Sequence, residues 1–490
     1  RAMNAQDAIL IALALPLAGA LGIALAGRIN ANLRETVTLV TAGGLAYTVW
    51  QIVPEIMAGG RPGVTLAEVL PGISISFTVE PLGMLFALLA SLLWIITTIY
   101  SIGYMRAHRE KHLTRFYAFF AVSLWAAVGM AFSGNLLTAF VFYEALTLST
   151  YPLVTHAGTE PARRGGRVYL GLLLFTSIGF LLFAIIWTWW LAGTLEFTEG
   201  GILRGTASPA VLGILFTLYA FGIGKAALMP FHRWLPAAMV APTPVSALLH
   251  AVAVVKGGVF LLLKVAIYVF GIEELAQLEA RQWLLYVAGT TILLASLVAL
   301  RKDNLKTRLA YSTVSQLGYI VLGALLATNA GVIGGSMHLV MHAFGKITLF
   351  FCAGAILVAT HKTKVSQLNG LGKTMPVTMS AFFIATLSII GLPPAGGAWS
   401  KWFLMLGSLD TGQRLMIAIL VLSTLLNIAY LITIPVRAFF SPAETSTYGD
   451  RINEAPLLCL VPLCLTAAGC IALFFYADNL YQLLSRLATN

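Results

Sequence analysis

Charged residues are scarce in this sequence. They make up 10% of its 490 residues, whereas hydrophobic residues make up 59%. A water-soluble domain carries about 25% charged residues, so the composition excludes an ordinary soluble protein. The sequence instead predicts an all-α polytopic membrane protein with about 14 transmembrane helices, because each apolar segment can cross a bilayer with roughly 20 residues. These segments are 8–27, 36–58, 80–104, 115–133, 135–157, 168–193, 210–229, 240–269, 282–300, 309–327, 331–359, 376–407, 415–440 and 455–476.

Long polar loops are lacking as well. The longest gaps between apolar segments, near 194–209 and 441–454, hold about 15 residues each. They leave no room for a nucleotide-binding or catalytic soluble domain. All four cysteines lie in apolar segments without a CxxC pattern, which favours packing over metal binding. We therefore expect no metal and no cofactor.

Basic residues outnumber acidic ones, which gives a net charge of +11. Of the 30 lysines and arginines, nineteen fall in the loops that follow odd-numbered segments and six lie on the other face. The positive-inside rule then places the nineteen in the cytoplasm and both termini outside. The basic excess therefore indicates orientation in a lipid bilayer and not nucleic-acid binding. The first segment resembles a secretory signal, but only Arg1 supplies a basic n-region, so we expect a retained span.

Five lysines and one glutamate interrupt the apolar segments. They are Lys225, Lys256, Lys264, Lys346, Lys401 and Glu144. An ionisable group at the bilayer centre costs about 2.5–3.5 kcal/mol on insertion scales, and such groups usually mark ion pathways. Lys264 lies near the end of its segment, where we expect its side chain to snorkel to the membrane surface.

Two segments that carry a lysine also carry helix-breaking prolines. Pro230 follows Lys225, and Pro393 and Pro394 precede Lys401. Proline removes a helix hydrogen bond and clashes with the preceding turn. Such breaks persist at membrane depth where protein or a hydrated cavity satisfies the freed groups. Two broken segments, five spans apart, indicate a transporter built from two repeats.

His338, His342 and Lys346 are spaced four residues apart, which places them on one face of a helix. An H-x-x-x-H pair could bind zinc, but no glutamate follows the first histidine and no third ligand is evident. A proton relay fits three titratable groups better, because histidine titrates near neutral pH. His250 and Lys256 add two more groups, and their spacing of six residues puts them on different faces.

Five motifs together resemble the antiporter-like subunits of respiratory complex I, Mrp-type cation/proton antiporters and membrane-bound hydrogenases. The resemblance covers roughly residues 80–410. The motifs are GNLLTAFVFYEALTLSTYPLV, GKAALMPFHRWLPAAMVAPTPVSALLHAVAVVKGGVFLL, DNLKTRLAYSTVSQLGY, HLVMHAFGKITLFFCAGAI and GLPPAGGAWSK.

The resemblance implies a role for each intramembrane group. Glu144 falls on the glutamate of the family's fifth helix, and Lys225 on the channel lysine paired with it. Lys401 falls on the terminal charged residue of the twelfth helix. The connecting relay is implied to be His250, Lys256, His338, His342 and Lys346.

The resemblance also implies the arrangement of the chain. Residues 1–114 form spans 1–3, residues 115–269 and 282–440 form two inverted five-helix repeats, and residues 441–490 hold span 14 and the C-terminal tail. Helices 7 and 12 are the broken ones. The sequence ends after span 14, without the long lateral helix of the distal complex I subunit or the extension of the large Mrp subunit.

Three functions stay open at this point. The first is an ion-translocating subunit of a Mrp-type cation/proton antiporter, carrying protons or sodium. The second is a proton-pumping subunit of a complex I-like oxidoreductase or an energy-converting hydrogenase, and the third is the energising subunit of an inorganic-carbon uptake system. In each case we expect other membrane subunits as partners, including a second antiporter-like one, in a bacterial cytoplasmic membrane. The sequence leaves open whether the chain serves an enzyme, and any chemistry would belong to its partners.

Overall fold

The computed structural model describes residues 3–443 and 451–487. Arg1 and part of the predicted 441–490 region lie outside this range. The first part of the fold comprises α1 (Ala5–Ala26), α2 (Ala31–Trp50), α3 (Val53–Met57), β1 (Gly63–Leu70), β2 (Ile73–Thr78) and α4 (Pro81–Ala107). The next part comprises α5 (Leu113–Ala131), α6 (Leu136–Val154), α7 (Glu160–Thr176), α8 (Leu182–Ala192), α9 (Pro209–Gly222), α10 (Trp234–Ala237), α11 (Thr243–Ala247), α12 (Val254–Lys264) and α13 (Ile272–Ala276).

The remaining helices complete the bundle. They are α14 (Glu279–Arg301), α15 (Leu305–Leu325), α16 (Asn329–Thr360), α17 (Leu371–Thr374), α18 (Pro376–Ile390), α19 (Gly397–Asp410), α20 (Arg414–Asn427), α21 (Thr433–Phe440), α22 (Leu457–Phe475) and α23 (Ala477–Leu484). Four π-helical turns, Ser177–Leu181, Leu248–Val252, Val265–Phe270 and Ile428–Ile432, join consecutive helices or extend their ends.

The membrane-spanning character of the fold is confirmed at a coarser level than fourteen spans. Within the described residues, eleven helical stretches are long and apolar enough to cross a membrane. The other three predicted segments coincide with α9, with the polar helix α15, and with the pair α18 and α19. The count of fourteen and the inverted repeats stay predictions.

Short polar residues set the starts of many helices. A side-chain oxygen of the residue before the helix accepts a hydrogen bond from a backbone N–H of the first turn, which satisfies a donor that the helix leaves free. The residues that do this are Asn4, Asn30, Glu80, Asn135, Thr159, Ser208, Asn304 and Thr328.

One element departs from the all-α prediction. Strands β1 and β2 form an antiparallel hairpin between α3 and α4. Its turn contains Pro71 and Gly72, and Gly72 has a φ of 80°, the conformation that a Pro-Gly turn requires. β-branched residues in both strands favour the extended conformation. The hairpin is anchored on α6, where Ser76 N donates to Thr138 Oγ1 at 3.1 Å.

Both predicted helix breaks are present, but the first begins earlier than expected. Helix α9 ends at Gly222, and Lys225 lies in a 3₁₀ turn before Pro230 is reached. A proline disturbs only the preceding turn, so it cannot end a helix at Gly222. Ile223 ends it instead by leaving the helical region, with ψ at 68°. The second break lies between α18 and α19 and contains Pro393 and Pro394.

A third interruption was not predicted. Helix α11 ends at Ala247, a π-helical turn follows, and Ala253 has a φ of −137° before α12 begins. His250 lies within this turn. Since π-helical turns are common at functional sites, the position of His250 points to function, although no periodicity in the sequence predicts the turn.

The prediction that Lys264 snorkels is wrong. Its ammonium is buried and forms an ion pair with Glu80 at 3.1 Å, with the two side chains 1% and 6% exposed. Tyr268 donates to the other carboxylate oxygen at 3.0 Å, and the ammonium lies 4.5 Å from the centre of the Phe197 ring. Glu80 also caps α4, so the pair fastens the start of α4 to the end of α12.

Replacing Lys264 should therefore destabilise the fold. Lys264→Met leaves the Glu80 carboxylate buried without its cation, and breaking a buried pair in this way costs about 3–5 kcal/mol. We expect a lower melting temperature of the purified protein in detergent. Arg204→Met is the matched control, because Arg204 and Glu273 form an exposed pair. Equal melting temperatures for the two variants would contradict a structural role for the buried pair.

Candidate ion-translocation axis

The buried titratable side chains between the two helix breaks are here called the axis; they are Lys225, His250, Lys256, His338, His342, Lys346 and Lys401. Lys225 is the first of them along the chain. Its ammonium donates to the carbonyl oxygen of Tyr143 at 2.8 Å and to the hydroxyl of Thr147. It also lies 3.5 Å from the centre of the Tyr143 ring. The side chain is fully buried, so neutral oxygens and one aromatic ring provide its immediate surroundings.

Glu144 lies beside this site without touching the lysine. Among the described residues no ion pair joins Glu144 to Lys225, although the two interact electrostatically. Glu144 is half-buried, and its Oε1 atom makes no hydrogen bond within the described chain. Val141 and Leu148, on the same face of α6, are 43% and 56% exposed. The role of Glu144 as a partner of Lys225 stays a prediction.

Lys256 and His342 meet at the centre of the axis. The ammonium nitrogen lies 2.5 Å from His342 Nδ1, and both side chains are buried. This contact joins α12 to α16. His250 does not share it and lies against Thr313, with 2.8 Å between Nδ1 and the hydroxyl. The two groups that the sequence placed on different faces thus have separate partners.

The column on α16 contacts three different neighbours. His338 Nδ1 lies 2.8 Å from Ser400 Oγ, and Nε2 lies 2.8 Å from Gln316 Oε1. Lys346 donates to Ser312 Oγ at 2.7 Å. The rings of His338 and His342 are 5.9 Å apart. Helix α16 is continuous from Asn329 to Thr360, so it holds the column in fixed register.

Lys401 ends the axis next to the second helix break. Its ammonium donates to the carbonyl of Ile390 at 2.6 Å and to Thr424 Oγ1 at 3.0 Å. Ile390 is the last residue of α18, and the last carbonyls of a helix have no partner within it. The break therefore supplies an acceptor for a cation inside the protein.

Several polar atoms along the axis lack a partner within the described chain. They are His250 Nε2, His342 Nε2, Gln316 Nε2, Ser246 Oγ and Ser336 Oγ. Buried polar atoms without a hydrogen bond are costly, and buried water commonly satisfies them. This pattern suits a hydrated path better than a dry core.

A cavity of about 320 Å³ opens beside the basic loops. It is lined by Tyr104, Thr243, Lys306 and Lys362, among others. Ser246 and then His250 follow Thr243 along the same segment and are fully buried. A series of polar side chains thus leads from this cavity to the axis.

The sequence reasoning missed the neutral polar groups that surround the lysines and histidines. They are Ser312, Gln316 and Tyr319 on α15, Ser400 on α19, and Ser423, Thr424, Asn427 and Tyr430 on α20 and its π-helical turn. A signal for them exists, because they recur every three or four residues within otherwise apolar helices. That spacing puts them on one inward face of each helix.

Two protein-family models match parts of this chain. Residues 133–427 match the transmembrane family model of NADH:quinone oxidoreductase/Mrp antiporter proteins, and residues 71–117 match the N-terminal model of complex I chain 5. NADH-quinone oxidoreductase subunit N of Desulforudis audaxviator is 31% identical over 431 residues, covering 84% of each chain. NAD(P)H-quinone oxidoreductase chain 5 of a Picosynechococcus species is 32% identical over 346 residues, and the chain spans about half (50%) of that relative's length.

Solved structures show the same fold. The Mrp complex of a Dietzia species contains a chain with a TM-score of 0.87 and 23% identity, covering 100% of this chain and 98% of that one. A chain of complex I from Thermus thermophilus has a TM-score of 0.82 and 21% identity, with 98% of both chains covered. A chain of an archaeal membrane-bound sulfane sulfur reductase has a TM-score of 0.85 and 23% identity, covering 99% of this chain and 97% of that one.

The resemblance inferred from the five motifs is thereby confirmed. The model match covers more than half of the chain and includes every intramembrane lysine. This chain belongs to the NADH:quinone oxidoreductase/Mrp antiporter transmembrane family, as an antiporter-like membrane subunit.

Proposed function

We propose that this chain translocates protons, or protons coupled to sodium, along the buried axis from Lys225 to Lys401. The observation that carries the proposal is a series of buried titratable side chains held by neutral partners between the two helix breaks. Neutral acceptors allow a lysine to gain and lose a proton without leaving an unpaired carboxylate behind. A purely structural set of lysines would favour carboxylate partners, as Lys264 does with Glu80.

Each group has a step that its geometry supports. Lys256 and His342 can exchange a proton across one hydrogen bond of 2.5 Å. His338 connects Gln316 to Ser400, and Ser400 directly precedes Lys401 in the chain. Lys401 would exchange with one aqueous face, and the polar series from Thr243 to His250 would give access from the basic side. Glu144 would tune Lys225, since a nearby carboxylate favours the charged lysine.

The parent complex has two supported candidates. The full-length match to a chain of a Mrp complex supports the first of the three functions, a Mrp-type antiporter. The relatives at 31% and 32% identity are subunits of quinone oxidoreductases, so that parent is at least as well supported. Purifying the complex from native membranes separates them. Iron–sulphur subunits indicate an oxidoreductase, whereas several small membrane subunits without redox centres indicate an antiporter.

The proposal places the chain in a bacterial cytoplasmic membrane beside other membrane subunits, one of them antiporter-like. Mrp, sulfane sulfur reductase and complex I structures are all multi-subunit membrane complexes. Any redox chemistry would be carried out by those partners.

The relay proposal predicts that Lys346 must release its proton during turnover. Arginine keeps the charge but effectively never deprotonates. Lys346→Arg and Lys346→Met should therefore lower proton or sodium flux by about a hundredfold, and His342→Gln should lower it less. Flux is measured in vesicles and normalised to assembled complex, with Lys373→Met, an exposed lysine, as control. Wild-type flux in the arginine variant would end the relay interpretation.

The pairing of Glu144 with Lys225 predicts coupling between their variants. Glu144→Gln and Lys225→Gln should each reduce flux. Expressed as free energies, the effect of the double variant should differ from the sum of the two single effects by about 0.5–3 kcal/mol. Thr147→Val removes the hydroxyl that accepts a hydrogen bond from Lys225, without changing charge. It is the control for the loss of one hydrogen bond alone. If the effects of the two charge variants multiply independently, the pairing is refuted.

The proposed orientation predicts opposite labelling of two loops. With Cys464→Ser as background, Arg109→Cys should react with an impermeant thiol reagent only from the cytoplasm, and Gln277→Cys only from outside. Lys302→Cys should behave like Arg109→Cys. Labelling of Arg109→Cys and Gln277→Cys from the same side would exclude fourteen spans in this orientation.

A further inference from the structure

Helix α20 and its π-helical turn carry a polar stripe that faces the axis. The stripe consists of Ser423, Thr424, Asn427 and Tyr430, within the sequence LSTLLNIAY. Ser423, Asn427 and Tyr430 are fully buried. The intervals of three and four residues put them on one helical face. Burying them among apolar helices requires specific hydrogen-bond partners.

Those partners connect Lys346 to the stripe. The Lys346 ammonium donates to Ser312 Oγ at 2.7 Å, and Ser312 Oγ lies 3.1 Å from the Tyr430 hydroxyl. The same hydroxyl lies 2.7 Å from Asn427 Oδ1. A continuous set of hydrogen bonds therefore leads from the relay lysine of α16 to the amide of Asn427.

The stripe continues to Lys401. Asn427 Nδ2 lies 3.4 Å from the hydroxyl of Tyr319, which in turn bonds to Ser423. The Lys401 ammonium lies 5.0 Å from the centre of the Tyr319 ring and bonds to Thr424. The stripe thus reaches both lysines through hydrogen bonds that do not include His338, although the rings of Tyr319 and His338 lie 5.4 Å apart.

Tyr430 holds a special position because its hydroxyl has one proton and two acceptors. A charged Lys346 donates to Ser312, so the serine proton turns towards Tyr430, and Tyr430 donates to Asn427 Oδ1. A neutral Lys346 can accept from Ser312, so Tyr430 can donate to Ser312 and release Asn427. The direction of the bonds therefore follows the charge of Lys346.

We propose that Tyr430 is a positioning residue that reports the charge state of Lys346 to Lys401 through Asn427 and Tyr319. This inference rests on the proposed translocation function. The stripe does not itself conduct protons, because the amide nitrogen of Asn427 has no basic lone pair and cannot accept a proton. Protons would pass through the histidine route, while the stripe couples the two lysines.

Other charged and titratable groups surround this pathway. They are Arg308, whose guanidinium donates to the Tyr430 carbonyl at 3.0 Å, together with His250, Lys256, His338, His342, Lys346, Lys401 and Tyr319. Tyr430→Phe leaves all of these groups in the protein. A change in the pH dependence of flux would therefore come from the altered hydrogen-bond chain.

Tyr430→Phe tests the inference. Flux per assembled complex should fall about fivefold, which corresponds to one neutral hydrogen bond. The pH at half-maximal flux should also move lower by about half a unit, because charged Lys346 loses part of the acceptor chain that favours it. Tyr219→Phe is the matched control. Its hydroxyl is equally buried and bonds to Thr188 at 2.5 Å, away from the axis.

A second variant distinguishes a chain from simple packing. Asn427→Leu should lower flux by a similar factor. The double variant Tyr430→Phe/Asn427→Leu should have no lower flux than either single variant, because the two residues belong to one hydrogen-bond chain. Independent effects that multiply, or a Tyr430→Phe variant that behaves like Tyr219→Phe, would overturn the inference. If either outcome occurs while Lys346→Arg blocks flux, the inference about Tyr430 fails and the proposed function stands. Wild-type flux in Lys346→Arg would overturn both.

Discussion

A cation inside the membrane must find hydrogen-bond acceptors within the protein, and the structure is organised around this constraint. The cost of an ionisable group at the bilayer centre is several kilocalories per mole unless it is paired or solvated. Each intramembrane lysine here has acceptors that the fold supplies. They come from a helix end for Lys401, from α6 for Lys225 and from α15 for Lys346.

The lysines meet this constraint in two ways, and the difference separates structure from function. Lys264 is held by a carboxylate that also caps a helix, so its loss would leave a buried charge. Lys256, Lys346 and Lys401 are held by an imidazole, hydroxyls and a carbonyl. Such partners tolerate either charge state of the amine, which is the property a proton-carrying group needs.

The sequence allowed the bundle and its charged groups to be predicted, because apolar length and intramembrane charge are strong local signals. Pro393 and Pro394 marked the second break correctly, whereas the first begins at Ile223, before Pro230 is reached. Lys264 was misjudged because distance from a segment end says nothing about a partner 184 residues away. The hairpin at 63–78 was missed because it lies between spans, where apolar length and intramembrane charge carry no signal.

The neutral partners were hardest to foresee, since serine, threonine, asparagine and tyrosine are common in membrane helices. Their meaning depends on which helices pack together. The π-helical turns add to the difficulty, because a π turn changes the face on which later residues fall. Two of them carry His250 and Tyr430, and each lies in the helix that follows a broken one. At the second break a helix end supplies an acceptor for Lys401, whereas Lys225 beside the first break is held by α6. In each case the next helix brings a polar side chain to the same axis.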